Sequence, residues 1–236
     1  MSNAKLYLFP VPLSPDTTQK VLPAFNTDVL REIKYFIVEN IRSARRFLKQ
    51  CDKSIDIDTL TFFTLNEQTK PAEMPEMIVP LEQGHSMGVI SEAGCPAIAD
   101  PGADVVAIAQ KKGIEVVPLV GPSSILMSLM GSGFNGQSFA FNGYLPIDKA
   151  ARAAKMKELE RRIIHERQTQ IFIETPYRNN KLIAELAASL KPNMLLCVAS
   201  DITGEKQSII TRKLSWWSKA KYNYDKTPTI FLLFSE

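Results

Sequence analysis

The residues best suited to chemistry in this chain form a loop of small side chains at residues 88–102, GVISEAGCPAIADPG. The apolar pair Val89 and Ile90 predicts a short strand that leads into this loop, and a helical pattern follows it. Small residues at the end of a strand let the backbone itself approach a ligand closely. The stretch therefore predicts a ligand-binding loop between a strand and a helix.

A second stretch, Gly-Pro-Ser-Ser at residues 121–124, repeats this arrangement of strand, small residues and helix start. The apolar, β-branched run at 114–120 before it predicts a strand buried on both faces of a parallel sheet. A helix N-terminus carries free N–H groups and a partial positive charge, which suit an anion such as a carboxylate. Ser123 and Ser124 are also typical helix caps, so a purely structural role stays open for both.

Several common kinds of site are disfavoured by the sequence. The chain has neither a GxGxxG fingerprint after its first strand nor a GxxxxGK[ST] phosphate loop. Its 3 cysteines and 2 histidines lack zinc-ligand spacing, so we predict no metal site. Cys95 is expected to be a small wall residue rather than a nucleophile, because nothing basic adjoins it in sequence to lower its pKa.

The composition is that of an ordinary globular protein, with 45% hydrophobic residues and a formal net charge of +3 among 236 residues. No apolar run approaches the roughly 18 residues that span a membrane. No basic segment followed by a long apolar one marks a secretory signal. We therefore expect no membrane partner and a reducing, cytoplasmic location.

The predicted elements alternate between strand and helix up to residue 120, whereas strands follow one another near the end of the chain. This pattern predicts an α/β fold with a mostly parallel N-terminal sheet and a mixed C-terminal sheet. We expect an N-terminal domain at 1–121 and a C-terminal domain at 122–236. Within the first, Asp100 is predicted to cap a helix that has Pro101 at its first position and stops at Gly113.

A predicted helix at 40–50 carries its cations at helical spacing, on one face formed by Arg42, Arg45, Arg46 and Lys49. A solvated helix face is the ordinary explanation of such a stripe. A surface that faces phosphate groups is the alternative.

Three blocks in order resemble signatures of the tetrapyrrole methylase family. They are Ser-Glu-Ala-Gly-Cys-Pro-x-x-x-Asp-Pro-Gly at 91–102, Val-Pro-Leu-Val-Gly-Pro-Ser-Ser at 117–124 and Phe-Asn-Gly-Tyr-Leu-Pro at 141–146. Glu-Thr-Pro-Tyr-Arg at 174–178 is similar to the Glu-Ser-Pro-His-Arg of its ribosomal RNA methyltransferase I branch. The chain departs from that branch in its first loop, which lacks glycine at 9–14, and in Glu-Asn-Ile-Arg at 39–42, where the branch has Glu-Asp-Thr-Arg.

The resemblance implies two α/β domains that bind S-adenosylmethionine in the cleft between them, usually as a homodimer. It assigns the cofactor to residues from several parts of the chain: Glu92, Ala93, Gly94, Cys95, Pro96, Ser123, Ser124, Ile125, Phe141, Tyr144 and Pro228. It also implies methylation of a ribose 2′-hydroxyl in ribosomal RNA, with that RNA or the small ribosomal subunit as partner.

The implied chemistry needs positioning more than acid–base groups, because a sulfonium already activates its methyl group. A ribose hydroxyl must nevertheless lose its proton. Glu39, Glu92 and Glu174 are the candidate carboxylates, and Arg42 and Arg178 are candidates to hold phosphate groups. Carbon methylation of a precorrin-type tetrapyrrole and a non-catalytic module that binds S-adenosylmethionine remain alternatives.

Overall fold

A computed structural model describes residues 4–235 of the chain. The chain forms two compact units, the first ending at Ser123 and the second beginning at Ser124. Each unit contains one five-stranded sheet with helices packed against it. None of the helices in the described range combines the length and the apolar character that a membrane crossing requires.

The sheet of the first unit is entirely parallel, in the order β3-β2-β4-β1-β5. Its strands are β1 (Lys5–Phe9), β2 (Tyr35–Val38), β3 (Thr61–Thr64), β4 (Met87–Ile90) and β5 (Glu115–Pro118). The α-helices are α1 (Thr18–Val21), α2 (Ala24–Glu32), α3 (Ile41–Cys51), α4 (Met74–Met77), α5 (Val79–Glu82) and α6 (Gly102–Lys111), and Ile57–Thr59 and Pro71–Glu73 form 3₁₀ turns. The parallel N-terminal sheet predicted from the sequence is confirmed.

Strand β4 lies at the centre of this sheet and is buried along its whole length. Gly88 permits this packing, because a Cβ at that position would lie 2.8 Å from ring atoms of both Phe9 and Phe36. One expectation is wrong: β5 is an edge strand whose central residues are only half-buried, and Val120 beyond it is exposed. Apolar β-branched residues favour a strand, but they do not distinguish a central strand from an edge one.

The second unit has a mixed sheet in the order β6-β7-β10-β8-β9, in which only the β6–β7 pair is parallel. Its strands are β6 (Phe139–Tyr144), β7 (Thr169–Ile173), β8 (Leu195–Ser200), β9 (Ser208–Lys213) and β10 (Thr229–Phe234). Its helices are α7 (Ser124–Ser132), α8 (Lys149–Glu166), α9 (Asn179–Ser189) and α10 (Leu214–Trp217), with a 3₁₀ turn at Pro176–Arg178. The mixed C-terminal sheet is likewise as predicted.

Candidate functional site

Carboxylates gather at the carboxyl ends of the first unit's central strands. Strands β2 and β4 pair in parallel, with Val38 opposite Ile90, so Glu39 and the loop after Ile90 leave the sheet side by side. The backbone N–H of Glu92 donates a hydrogen bond to the Glu39 carboxylate. The structure thus brings together Glu39 and the first of the predicted cofactor residues.

The environment of Glu39 raises the pKa of its carboxyl group. Burial is the largest cause, and the nearby negative charges of Asp100, Glu92 and Glu67 act in the same direction, partly offset by the Glu92 hydrogen bond. A raised pKa makes a carboxylate a stronger base, which is the property that a proton acceptor needs. Burial and neighbouring negative charges therefore distinguish Glu39 from an exposed glutamate.

The loop that begins at Glu92 is held by backbone pairing with the first loop of the chain. Val11 and Gly94 exchange two N–H···O hydrogen bonds of 2.8 and 2.9 Å. Gly94 has φ +73°, and a Cβ there would lie 3.3 Å from Leu13, so glycine suits this close approach. The first loop has no glycine of its own, and the close approach is made by Gly94 instead.

The other side of this loop contacts the segment that leads out of β5. The Cys95 thiol lies 3.5 Å from the Pro122 carbonyl oxygen, and burial raises the pKa of this thiol, which keeps it neutral. Asn26 donates a 2.9 Å hydrogen bond to the Val120 carbonyl and so anchors the same segment. Pro96 is buried, whereas Glu92 and Ala93 are exposed. The start of the loop therefore presents Glu92 and Ala93 to solvent on a fixed base.

Asp100 organises the end of the loop. Its Oδ1 accepts hydrogen bonds from the backbone N–H groups of Gly102 at 2.8 Å and Ala97 at 2.9 Å. Helix α6 begins at Gly102, one residue later than expected, so Pro101 is its N-cap residue rather than its first turn. The Asp100 side chain still satisfies the Gly102 donor. Burial raises the pKa of Asp100, although hydrogen bonds from Gly102, Ala97 and Ser91 oppose that effect.

The segment that Asp100 holds contains two alanines in the left-handed region, Ala97 at φ 65° and Ala99 at φ 61°. We expect Asp100→Ala to lower the free energy of unfolding by about 2 kcal/mol. The loss of a helix cap costs about 0.5–2 kcal/mol, and the Ala97 N–H also loses its acceptor. Asp100→Asn keeps the Oδ1 acceptor and should retain most of the stability. Chemical denaturation of both variants checks this, and equal losses would refute the capping role.

In the second unit, three predicted site residues lie at the same end of the neighbouring strands β6, β7 and β10. Tyr144 ends β6 opposite Ile173, Glu174 follows β7, and Pro228 precedes the antiparallel strand β10, in which Ile230 is opposite Ile173. Tyr144 and Pro228 are exposed, and Phe141 is half-buried on the same strand as Tyr144. These residues therefore form one group.

The end of β6 is bent by a bulge between Phe141 and Tyr144. Gly143 there has φ 63°, which favours glycine, and Asn142 donates hydrogen bonds to the carbonyls of Ala140 and Ile171. The Asn-Gly pair in the sequence signals such a turn, but the role of the Asn142 side chain escaped sequence reasoning.

Glu174 and Arg178, two of the predicted catalytic residues, contact each other. The Glu174 carboxylate is largely buried, accepts a 2.8 Å hydrogen bond from the Thr175 N–H and lies 3.3 Å from Arg178 Nη2. The ion pair and the backbone hydrogen bond hold both side chains in place, so the geometry favours a positioning role for this pair.

The remaining predicted cofactor residues lie at the junction of the two units in sequence. Ser123 ends the first unit, and Ser124 and Ile125 begin the second as the first turn of α7. The Ile125 carbonyl accepts a 2.9 Å hydrogen bond from Ser128 Oγ within that helix. The Pro228 carbonyl accepts a 3.0 Å hydrogen bond from the Asp201 N–H. The predicted cofactor residues are thus divided between the units.

Comparison with known proteins identifies the family, although no family model matches the chain. The chain is 30% identical over 206 residues to a ribosomal RNA small subunit methyltransferase I of Vibrio cholerae, covering 86% of this chain and 67% of that protein. The chain belongs to this family of methyltransferases. Relatives of the same name in Streptococcus pyogenes and Escherichia coli O157:H7 are 31% and 26% identical, covering 91% and 88% of this chain and 66% and 68% of their own lengths.

The fold of the chain is also that of a known methyltransferase. The solved structure of the methyltransferase CobJ aligns with a TM-score of 0.63 over 98% of this chain and 93% of its own, at 16% identity. At that identity the likeness shows the fold alone. The resemblance read from the sequence blocks is confirmed by these comparisons.

Proposed function

We propose that this methyltransferase moves the methyl group of S-adenosylmethionine to the 2′-hydroxyl of a ribose in small-subunit ribosomal RNA. The observation that carries the proposal is the position of Glu39. Its carboxylate has a raised pKa and accepts a hydrogen bond from the Glu92 N–H, in the loop that contains the predicted cofactor residues. The relatives' names supply the RNA class.

The residues present fit the cofactor. Glu92 and Ala93 are exposed on a loop whose backbone is fixed by the Val11–Gly94 pairing, so a ligand can contact that loop without reordering it. We propose that the donor is held by this loop with Cys95, Pro96 and Ser123, and by residues of the second unit: Ser124, Ile125, Phe141, Tyr144 and Pro228. When bound, the cofactor supplies a methyl group on a positively charged sulfur.

The chain's own task is to position the acceptor and remove its proton. The ribose oxygen forms a bond to the methyl carbon, the carbon–sulfur bond breaks and leaves a neutral thioether, and the hydroxyl proton passes to the Glu39 carboxylate. Since the pKa of that carboxylate is raised, it accepts the proton more readily than an exposed glutamate. These bond changes and the proton transfer balance without a further reactant.

The test uses small ribosomal subunits from cells that lack the modification, incubated with the purified protein and S-adenosylmethionine labelled in its methyl group. We expect label in a 2′-O-methyl nucleoside after nuclease digestion. Label on a base or a ribosomal protein would contradict the proposal. Transfer only to a precorrin-type tetrapyrrole would establish the first alternative, and cofactor binding without transfer to any acceptor would establish the binding module.

We further propose that the enzyme works in the cytoplasm as a homodimer. Leu126 and Met130, one turn apart on α7, are exposed and give the second unit an apolar helix face suited to a second copy. Sedimentation of the purified protein at micromolar concentration measures this directly, and a monomer would contradict it.

A further inference from the structure

The charged side chains that helix α3 presents to solvent are all positive. The helix contains no acidic residue, and its four cations, Arg42, Arg45, Arg46 and Lys49, are all exposed. Its opposite face is buried through Ala44, Phe47, Leu48 and Cys51. The cations therefore lie together on the solvent side of a helix that is firmly packed in the first unit.

These charges lack the partners that neutralise a structural helix surface. Within residues 4–235, no carboxylate oxygen lies within 4.0 Å of any of the four side-chain cations. The nearest acidic residue in sequence after the helix, Asp52, is bonded instead to Arg31 Nε at 2.7 Å. Arg45 lies over the Phe62 ring at 5.6 Å, and Lys49 Nζ donates a 2.9 Å hydrogen bond to the Lys53 carbonyl oxygen. Neither contact cancels a charge.

The long helix α8 shows a different arrangement. Arg152 pairs with Glu185 at 2.8 Å, and Glu158 pairs with both Lys155 at 3.1 Å and Arg162 at 2.7 Å. Half of its six Lys and Arg side chains thus belong to an ion-pair network of the kind that decorates solvated helices, whereas none of the four on α3 does within the described part of the chain. Helix α8 also carries acidic residues of its own, which α3 lacks.

The cationic surface of α3 adjoins the candidate site. The helix starts two residues after Glu39, with the Asn40 side chain capping its first N–H groups. A cavity of about 300 Å³ lies between α3 and two loops of the same unit, with Ser43, Arg46, Phe47 and Gln50 on the helix side. Residues 11–15 and 91–93 line its other walls. Arg46 therefore belongs to both the cationic surface and the cavity.

We infer that α3 is the surface on which the RNA phosphate backbone docks, with Arg46 contacting the strand at the cavity beside residues 91–93. Cations without carboxylate partners along a helix can neutralise successive phosphates, and such contacts position a nucleic acid without reading its sequence. This inference rests on the proposed function and names the part of the chain that would hold its substrate.

The test compares two triple variants that remove the same number of exposed charges. One is Arg42→Gln/Arg46→Gln/Lys49→Gln on α3, and the matched control is Lys149→Gln/Lys157→Gln/Arg161→Gln on α8. We measure the Kd for a single-stranded ribosomal RNA fragment against salt concentration, with thermal melting as the folding check. The single variant Arg46→Glu, measured in parallel, keeps the other α3 cations.

We expect the α3 triple variant to raise the Kd at least about tenfold near 0.15 M salt and to flatten the salt slope by about two, since each lost phosphate contact removes about 0.7 from it for a single strand. Arg46→Glu should also weaken binding, and the α8 control should stay within about twofold. Affinity for S-adenosylmethionine should not change in the α8 control variant.

Equal losses in the two triple variants, or no loss in the α3 variant, would overturn the inference. Weaker binding to intact subunits with unchanged binding to free RNA would also overturn it, because the partner would then be a protein surface. Failure of the wild-type chain to methylate ribosomal RNA would instead refute the proposed function, so the two failures are distinguishable.

Discussion

Replacing Glu39 by glutamine should lower the rate of methyl transfer to RNA by about 100-fold or more, the usual contribution of a general base. Glutamine has nearly the same shape, and its amide oxygen can still accept the hydrogen bond from the Glu92 N–H. The loop and the affinity for S-adenosylmethionine should therefore persist. Single-turnover transfer assays and calorimetric titration with the cofactor measure the two effects separately.

The pH dependence gives an independent readout for the same residue. Because the folded-state pKa of Glu39 is raised above its ordinary value of 4.5, transfer should rise with pH through that raised pKa. Glu67→Gln removes one of the negative charges that raise it and should move the acidic limb to lower pH. An acidic limb that survives unchanged in the Glu39→Gln enzyme would show that another group accepts the proton.

At pH 7 the Glu39→Gln variant should be more stable than the wild type, although it should be less active. A carboxyl group with a raised folded pKa contributes its stability below the unfolded pKa and loses it as pH rises through the folded pKa. At pH 7 the ionised, partly buried Glu39 therefore costs stability, and Glu39→Gln should raise the melting temperature there. The gain should vanish near pH 4. A lower melting temperature at pH 7 would indicate that Glu39 is a structural residue.

Among the variants considered, Gly121→Ala should reduce stability most, with a loss of about 1–3 kcal/mol in the free energy of unfolding. A Cβ at Gly121 would overlap the Cβ of Pro10 and lie 2.7 Å from its Cγ, and a proline ring cannot rotate away. The displaced segment includes Pro122 and Ser123, so cofactor affinity should fall about tenfold as well. Urea denaturation and cofactor titration measure both losses.

Two further variants isolate the contact with Pro10. Gly136→Ala places its Cβ in open space and should leave stability nearly unchanged. Pro10→Gly removes both of the obstructing atoms, so combining it with Gly121→Ala should cost less than the sum of the two single changes. Additive losses in that double-mutant cycle would contradict a direct contact between the two positions.

The order of strands and helices could be predicted from the sequence because each element has a local signal. Short apolar runs end at small residues or prolines, and Asp148 caps α8 by accepting from the Ala151 N–H. The position of β5 at the sheet edge could not be predicted, because strand order depends on pairing between residues far apart in sequence. Its pairing of Lys5 with Glu115 is one such long-range contact.

The features of the candidate site also separate into those with a local sequence signal and those that depend on contacts between distant segments. The small residues at 91–102 predicted a ligand loop, and the Asp100 side chain accepts from the Gly102 N–H although Pro101, and not Asp100, is the N-cap residue. The pairing of Val11 with Gly94 and the approach of Pro10 to Gly121 had no sequence signal, since each joins segments far apart along the chain. The Glu174–Arg178 contact was foreseeable from their spacing, but the burial of the Glu174 carboxylate depends on packing that only the structure supplies.

The place of β10 has a consequence for how the second unit assembles. This strand follows every other strand of its sheet in sequence, yet it lies between β7 and β8 and pairs with both. During synthesis those two partners emerge first and present unpaired, apolar edges to one another and to other chains. Such edges promote aggregation until they are filled. The sheet of this unit is therefore complete only once residues 229–234 lie between β7 and β8.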